Sequence, residues 1–290
     1  MGFARYSLKV INGPFGAGWR GAGTACALGL VAILTVVSQV GGLVLWICIG
    51  LVNGIRNIGW FARVLWILAL FNIVYGVVVF FVVPPLAKLG GRVPLPCVST
   101  AEVPIQPSSL FFCLTNRNYV VPTLAALSGE ISKDVAVRYP GTIISYLDAG
   151  FPFGFHFPLL PHLSHGDGRK VDFALFYRDV SGARLDRGGA WGIGYFAFRP
   201  AEKISKENRC RDRAGFLRWD VDFLQSWFDD LTLDLERSRE LASRLVEDRR
   251  VERLFVEPKL VPVLGLKSDK VGFVGCSAAR HDDHFHVQIR

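Results

Sequence analysis

The chain has 290 residues, of which 51% are hydrophobic and 20% are charged, and its formal net charge is +8 at pH 7. This length allows one or two domains, and the composition excludes a disordered chain and a small domain stapled by disulfides. The basic balance fits association with an anionic lipid or polymer. Aromatic and basic residues are not interleaved as in nucleic-acid-binding motifs, so we predict no nucleic-acid partner.

The N-terminal part of the sequence is strongly apolar. No Asp, Glu, Lys or Arg occurs from Gly21 to Ile55 or from Val64 to Ala87. Each run is longer than the roughly 20 residues that cross a bilayer core. The sequence therefore predicts two transmembrane helices in an anchor at 1–90, which contacts the lipid bilayer through residues 21–87. Buried soluble helices and a cleaved signal peptide are the alternatives, but such long charge-free runs favour neither.

Two crossings would leave both ends of the chain on one side of the membrane. The positive-inside rule then compares five basic residues on that side with two in the short loop, and it favours a cytoplasmic C-terminal domain. The five are Arg5, Lys9, Arg20, Lys88 and Arg92, and the two are Arg56 and Arg63.

Four of the six cysteines lie outside the apolar runs. In an oxidising compartment they could form two disulfides, with three possible pairings, or they could remain free buried thiols. These four are Cys97, Cys113, Cys210 and Cys276.

Beyond the anchor, the patterns of secondary structure are mixed. Residues 91–130 are rich in Pro and Ser, which predicts a linker leading into a domain at 131–290. Apolar alternation predicts strands within 134–151, 171–180, 251–258 and 284–290. Helical spacing predicts one or two amphipathic helices within 219–249, and 258–266 is a short helix or turn. Because strands and helices do not alternate regularly, the predicted fold class is α+β.

All six histidines fall in two short stretches. The first, GFHFPLLPHLSHGDGRKVD, holds His156, His162 and His165, and the second, RHDDHFHVQIR, holds His281, His284 and His286. On an extended strand, the last two would point to the same side, because side chains two residues apart share a face. Imidazole and carboxylate groups are common zinc ligands, and a catalytic zinc uses three of them.

His165 and Asp172 can share a metal only if the chain folds back between them. On a continuous helix they would lie about 10.5 Å apart along the axis, too far for one ion. A loop followed by a strand brings them together, and Gly166 and Gly168 permit the backbone angles that a tight loop needs.

The spacing of these groups carries a family resemblance. SHGDGRKVD resembles the SHxxGxxxD motif, and HDDHFHV the HxxHFHV motif, of the penicillin-insensitive murein endopeptidases. These belong to the LAS group, together with lysostaphin-type and D-Ala-D-Ala metallopeptidases and the hedgehog signalling domain. The resemblance covers roughly residues 156–290 and implies a LAS-type antiparallel sheet with flanking helices, which here follows a helical membrane anchor.

The resemblance implies one Zn²⁺ ion with His165, Asp172 and His286 as its ligands, and it makes His284 and His281 the catalytic residues. Zinc acidifies water and polarises a carbonyl, and a neighbouring histidine can accept a proton or stabilise an oxyanion. The division of these roles between the two histidines stays open. Two positions depart from the family, Arg280 for glycine and Gln288 for arginine, and both bear on substrate preference.

Other polar residues keep ordinary interpretations at this stage. We expect His156 and His162 to lie outside the ligand set, although they could shape the cleft. Asp282 and Asp283 could orient imidazoles, but a solvated turn is the commoner role for such a pair.

The function that the resemblance implies is zinc-dependent hydrolysis of peptide bonds in peptidoglycan stem peptides or cross-links. Two alternatives remain open, a D-Ala-D-Ala carboxypeptidase or dipeptidase of the same fold and a non-catalytic, zinc-stabilised binding domain of a membrane assembly. The expected location is the cell inner membrane, as a multi-pass protein with the catalytic domain in the periplasm, which conflicts with the charge count. The sequence does not determine the oligomeric state.

Overall fold

The computed structural model describes residues 22–290 except 155–156, 161, 186–194 and 196–230. The chain divides into two compact units, Met1–Leu86 and Ala87–Arg290. In its described part it is a mixed helix and sheet protein, as the α+β prediction requires.

The first charge-free run forms two helices instead of the single membrane span predicted for it. Helix α1 is Ala22–Ser38, with 17 residues, and α2 is Gly41–Asn53, with 13. Between them Gln39 has a φ of 64°, in the left-handed region, which ends α1 and reverses the chain. A Cβ on Gly42 would lie only 2.3 Å from the Val31 carbonyl oxygen. Glycine therefore allows α2 to begin in close contact with α1.

The second charge-free run lies within one long helix, α3, which extends from Trp60 to Leu89. Its 30 residues are apolar enough to cross a membrane, and it is the only such helix among the described residues. Residues Val78–Val82 form a π-helical turn within it. The helix ends at Gly90 and Gly91, and the latter has a φ of 75°.

The C-terminal unit is built on a six-stranded sheet in the order β10-β9-β11-β5-β4-β2. The inner strands β9, β11, β5 and β4 are antiparallel, whereas the outer strands β10 and β2 run parallel to their neighbours. The sheet is therefore mixed, with antiparallel inner strands like the sheet that the resemblance implies and a parallel strand at each edge. The strands are β2 Ile105–Pro107, β4 Ile144–Tyr146, β5 Lys170–Ala174, β9 Val251–Phe255, β10 Val271–Gly272 and β11 His284–Ile289.

The remaining described elements are short apart from two helices that contact each other, α5 (Pro122–Arg138) and α6 (Leu235–Glu247). Strands β1 and β3 form a two-stranded sheet, and β6, β7 and β8 a three-stranded one. The bounds are β1 Val93–Pro94, α4 Phe111–Leu114, β3 Tyr119–Val120, α5 Pro122–Arg138, β6 Tyr177–Arg178, β7 Arg184–Leu185, β8 Thr232–Leu233, α6 Leu235–Glu247 and α7 Leu260–Leu264.

One face of the large sheet is apolar. Phe285 and Val287 of β11 are buried in the same core as Phe173 of β5, and Leu241 and Leu245 of α6 belong to that core. Because side chains alternate along a strand, the residues between these apolar positions point to the opposite face. The His and Asp residues of β11 and β5 occupy that opposite face.

Segment 91–130, for which the sequence predicts a linker, contributes two small strands, an edge strand of the large sheet and the start of α5. Its apolar residues Leu95, Phe112 and Leu124 are buried. A disulfide joins Cys97 to Cys113, and Cys276 is disulfide-bonded as well.

Two further segments differ from the secondary structure predicted for them. Residues 134–138 belong to α5 instead of a strand, because the apolar positions of the preceding turns continue into them at helical spacing. The predicted helical region 219–249 is present as α6 in its second half, and its first half lies outside the described residues.

Candidate metal centre

The antiparallel register of two strands brings the candidate ligands together. In β11 and β5, His286 lies directly opposite Asp172, and His284 lies opposite Ala174. Directly opposed residues project to the same face of an antiparallel pair. His284, His286 and Asp172 therefore share the face that lies away from the apolar core, and all three are buried.

A short 3-10 turn, Leu163–Asp167, carries His165 over this face. The turn ends at Gly168, whose φ of 71° is in the left-handed region. The buried guanidinium of Arg92 donates hydrogen bonds of 2.5 Å to the carbonyl oxygens of Phe151 and Gly166. These contacts tie the loop to the N-terminal part of the unit and fix the direction in which His165 points.

Three ligand atoms from the turn and the two strands form a compact triangle. His165 Nε2 lies 3.0 Å from His286 Nδ1 and 3.4 Å from Asp172 Oδ1, and His286 Nδ1 lies 2.9 Å from Asp172 Oδ1. Ligand bonds of 2.0–2.2 Å in a tetrahedron give edges of roughly 3.3–3.6 Å. One separation lies in that range, and the other two are a few tenths of an ångström shorter.

Hydrogen bonding also fixes the tautomer of the first ligand. His165 Nδ1 lies 2.5 Å from the carbonyl oxygen of Ala149, and a carbonyl can only accept, so Nδ1 carries the proton. Nε2, the other ring nitrogen, faces Asp172 and His286. Such a contact to a backbone carbonyl is typical of a metal-binding imidazole.

The electrostatics of the site keep the central carboxylate ionised. Burial by itself raises the pKa of Asp172, but the surrounding imidazoles, His165 foremost, outweigh burial and hold it well below its ordinary value. Burial lowers the pKa of His286 to about 4, and the contact with Asp172 only partly offsets it. An ionised carboxylate and a neutral imidazole, as Asp172 and His286 provide, are the protonation states that metal binding requires.

His284 projects a free nitrogen into the same cluster. Its Nδ1 is 2.5 Å from Asp283 Oδ1, whereas its buried Nε2 has no hydrogen-bond partner among the described residues and lies 3.7 Å from Asp172 Oδ2. Burial lowers the pKa of His284, but Asp172 and Asp283 outweigh burial, so its pKa is raised overall. An unsatisfied buried nitrogen costs about 1–3 kcal/mol, which a ligand or substrate group would relieve.

His281 lies beside this group in a different electrostatic state. The centroids of the His281 and His284 rings are 4.8 Å apart. Burial, followed by repulsion from His284 and His286, lowers the pKa of His281 well below its ordinary value. Its Nδ1 donates to the carbonyl oxygen of Ala279 at 2.8 Å.

His162 also belongs to the cluster, a position in which it could shape the cleft, as the sequence allows. Its Nδ1 lies 3.0 Å from Asp172 Oδ2 and 3.1 Å from Asp148 Oδ2. Burial lowers its pKa, but the two carboxylates outweigh burial and raise the pKa to about 10. The Tyr195 hydroxyl donates to the same Asp172 oxygen at 2.8 Å.

Arg117 completes this outer network. Its guanidinium binds both carboxylate oxygens of Asp148, at 2.5 Å and 2.7 Å, and Arg117 outweighs burial to lower the pKa of that carboxyl group. One oxygen of Asp172 thus faces His165 and His286, while the other is held by His162 and Tyr195. Such outer partners orient a ligating carboxylate.

The structure brings all five predicted site residues into one buried cluster: His165, Asp172, His281, His284 and His286. His156 lies outside the described residues. Asp282 and Asp283 are buried, so the solvated turn expected for them is wrong, and Asp282 pairs with Arg280 at 2.6 Å. The sequence does not single out Tyr195, Asp148 or Arg117 because no motif spacing includes them. His162 is three residues before His165 in the sequence, and this proximity is the one sequence feature that could have placed it at the site.

Two sets of residues in this cluster could hold a metal ion: His165, Asp172 and His286, and His162, Asp172 and His284. In each set the ligand atoms lie within 4.8 Å of one another. The first set fits a tetrahedral site better because its separations are close to the ligand edges. In the second, Nδ1 of His162 already lies between two carboxylates. Comparisons of the chain with protein-family models and with curated proteins give no significant match.

Proposed function

We propose that the C-terminal unit is a LAS-type zinc metallopeptidase that hydrolyses peptide bonds of peptidoglycan, with His165, Asp172 and His286 as the ligands of a single Zn²⁺ ion. The observation that carries the proposal is the triangle of ligand atoms with edges of 2.9–3.4 Å. Three protein ligands leave one tetrahedral position open, which is the arrangement of catalytic rather than structural zinc. When bound there, zinc supplies Lewis acidity, which polarises a carbonyl and acidifies water.

His284 is the general base and acid in this proposal. Its Nδ1 contacts the Asp283 carboxylate, which fixes the ring so that Nε2 faces the cluster. From there Nε2 can take a proton from the attacking water and return it to the leaving amine. Such transfers contribute about 10²–10⁴-fold to a rate.

His281 does not carry a proton between groups in this proposal. Its Nδ1 proton is already donated to the Ala279 carbonyl oxygen, and burial keeps the ring neutral. The neutral ring packs beside His284 and keeps water away from it. Exclusion of water strengthens electrostatic interactions within such a site.

The substrate class rests on the resemblance of the two histidine motifs to the murein endopeptidases. A disulfide at Cys97–Cys113 supports a domain located in an oxidising compartment, where peptidoglycan lies. The apolar helix α3 supports attachment to the inner membrane. The basic chain would also be attracted to an anionic cell-wall polymer.

Purified murein sacculi test the proposal directly. Full-length protein in detergent, loaded with one equivalent of zinc, is incubated with sacculi. The muropeptides are then separated by chromatography and identified by mass spectrometry. We expect cross-linked dimers to decrease and monomers to increase. Loss of only a terminal D-Ala would instead identify a carboxypeptidase, and unchanged muropeptides would favour a zinc-stabilised binding domain.

A further inference from the structure

In the first unit, α1 and α2 form a helical hairpin. Its contacts with α3 show how far along that helix each end of the hairpin lies. The C-terminal end of α2 lies near the start of α3, because Arg63 donates hydrogen bonds to the Val52 carbonyl and the Asn53 side chain at 3.3 Å and 3.2 Å. The other end of the hairpin lies much further along α3, where the side chains of Ser38 and Tyr75 are hydrogen-bonded.

The hairpin is too short to cross a bilayer. Tyr75 lies about 18 Å from Arg63 along α3, at 1.5 Å per residue. It is about 20 Å from Lys88, the first charged residue at the other end of the helix. The charge-free part of α3 spans about 36 Å, enough for a hydrocarbon core of about 30 Å. The turn of the hairpin therefore reaches only the middle of that span.

The surface of the hairpin suits hydrocarbon at that depth. Large apolar side chains point outward, and Ile33, Leu43 and Leu51 are each about 60% exposed. The hydroxyls of Thr35 and Ser38 donate to carbonyls of their own helix, those of Val31 and Leu34.

The backbone N–H groups of the turn also have partners. Gln39 N–H donates to the Thr35 carbonyl, and Gly41 N–H donates to the Ser38 hydroxyl. Polar groups without water must find internal partners in this way.

We infer that residues 22–53 form a re-entrant hairpin embedded in the lipid hydrocarbon, and that α3 is the single membrane crossing, so that the C-terminal unit lies outside the cytoplasm. The hairpin enters and leaves on the side of Arg63. One crossing separates the basic residues of the N-terminal side, Arg5, Lys9, Arg20, Arg56 and Arg63, from Lys88 on the far side.

The positive-inside rule now agrees with the disulfides. Five basic residues lie on the near side, against Lys88 at the end of α3 and Arg92 on the far side. The near side is then cytoplasmic. The disulfide-bonded Cys97, Cys113 and Cys276 follow α3, in the compartment where disulfides persist. With two membrane crossings, the positive-inside rule placed the C-terminal domain in the cytoplasm, in conflict with the expected periplasmic location. With one crossing, this conflict does not arise.

This inference rests on the membrane location proposed above and is independent of peptidase activity. The test uses full-length protein in cells with Cys26 and Cys48 replaced by Ala, and one cysteine added at a time. Gly59→Cys is suited to the near side, because a Cβ there meets nothing within 4 Å. Val40→Cys reports on the hairpin turn, and Val137→Cys on an exposed site of the second unit.

A membrane-impermeant maleimide is applied to spheroplasts and to inside-out vesicles, and Ser7→Cys is added as a marker of the N-terminal side. We expect Ser7→Cys and Gly59→Cys to react only in inside-out vesicles and Val137→Cys only in spheroplasts. Val40→Cys should react from neither side until detergent is added, because the thiolate that reacts forms only in water.

Two other labelling results would contradict the inferred topology. Reaction of Val40→Cys in spheroplasts would show that the hairpin crosses the whole bilayer. Reaction of Ser7→Cys and Gly59→Cys from opposite sides would restore two crossings and a cytoplasmic second unit. The murein assay in detergent is unaffected by either result, so failure of the topology is distinguishable from failure of the enzyme proposal.

Discussion

The hydroxyl of Tyr195 offers a sharp test of how the outer network supports the metal centre. It donates to Asp172 Oδ2 at 2.8 Å and accepts from the Asp148 backbone N–H at 3.1 Å. Tyr195→Phe removes the hydroxyl and preserves the ring that packs against Phe112 and His162. Asp172 Oδ2 then keeps its contact with His162 and lies 3.7 Å from His284 Nε2, and the carboxylate is less firmly oriented towards the metal position.

The expected magnitude follows from the charge of the acceptor. A hydrogen bond to an ionised group contributes about 1.5–3 kcal/mol, and each 1.4 kcal/mol is tenfold in affinity. Tyr195→Phe should therefore weaken zinc binding roughly 10- to 100-fold, as do other outer-partner substitutions at metal sites. Competition with a chromophoric chelator measures the dissociation constant.

Tyr146→Phe is the matched control. The Tyr146 hydroxyl is buried and donates to the Pro96 carbonyl at 3.0 Å, away from the histidine cluster. Its loss should cost about 1 kcal/mol of unfolding free energy and leave zinc affinity unchanged. Equal zinc affinity of Tyr195→Phe and the unmodified protein would refute the support assigned to this hydroxyl.

Three further predictions concern two single substitutions and one double substitution. His284→Ala should retain zinc but lower murein hydrolysis at least about 100-fold, measured by muropeptide release; a rate within threefold of the original would remove His284 from the mechanism. Gly150→Ala places a Cβ 2.8 Å from the Tyr119 carbonyl oxygen and should cost about 1–3 kcal/mol in urea unfolding, whereas an unchanged midpoint would show that the backbone gives way. Cys97→Ala combined with Cys113→Ala opens a loop with a sequence separation of 16 and should cost about 3 kcal/mol; thermal unfolding that is unchanged would contradict that value.

Local patterns in the sequence account for the centre of the second unit. The alternation in HFHVQI places Phe285 and Val287 in the core and His284 and His286 on the opposite face, as a strand of period two requires. The glycine at 168 ends the turn that carries His165. These features depend on neighbouring residues, so a pattern of a few positions is sufficient to predict them.

Features that depend on distant partners were not predictable in the same way. Asp148 and Tyr195 reach the centre only through the tertiary fold, and Arg117 is drawn in by Asp148. The hydropathy pattern does not reveal the break between α1 and α2 at Gln39, because the residues around it are as apolar as those of a continuous membrane span. The edge strand β2 comes from a Pro-rich segment whose composition is typical of linkers, and pairing with β4 orders it.

The most direct test of the metal centre is the zinc content of the full-length protein, measured by elemental analysis after exhaustive dialysis against metal-free buffer. We expect one zinc per chain in the unmodified protein and in His284→Ala. We expect well under one zinc per chain in His165→Ala, Asp172→Ala and His286→Ala, with circular dichroism confirming that each remains folded. A folded His286→Ala protein that keeps one zinc, or an unmodified protein that holds none, would contradict the proposed zinc site.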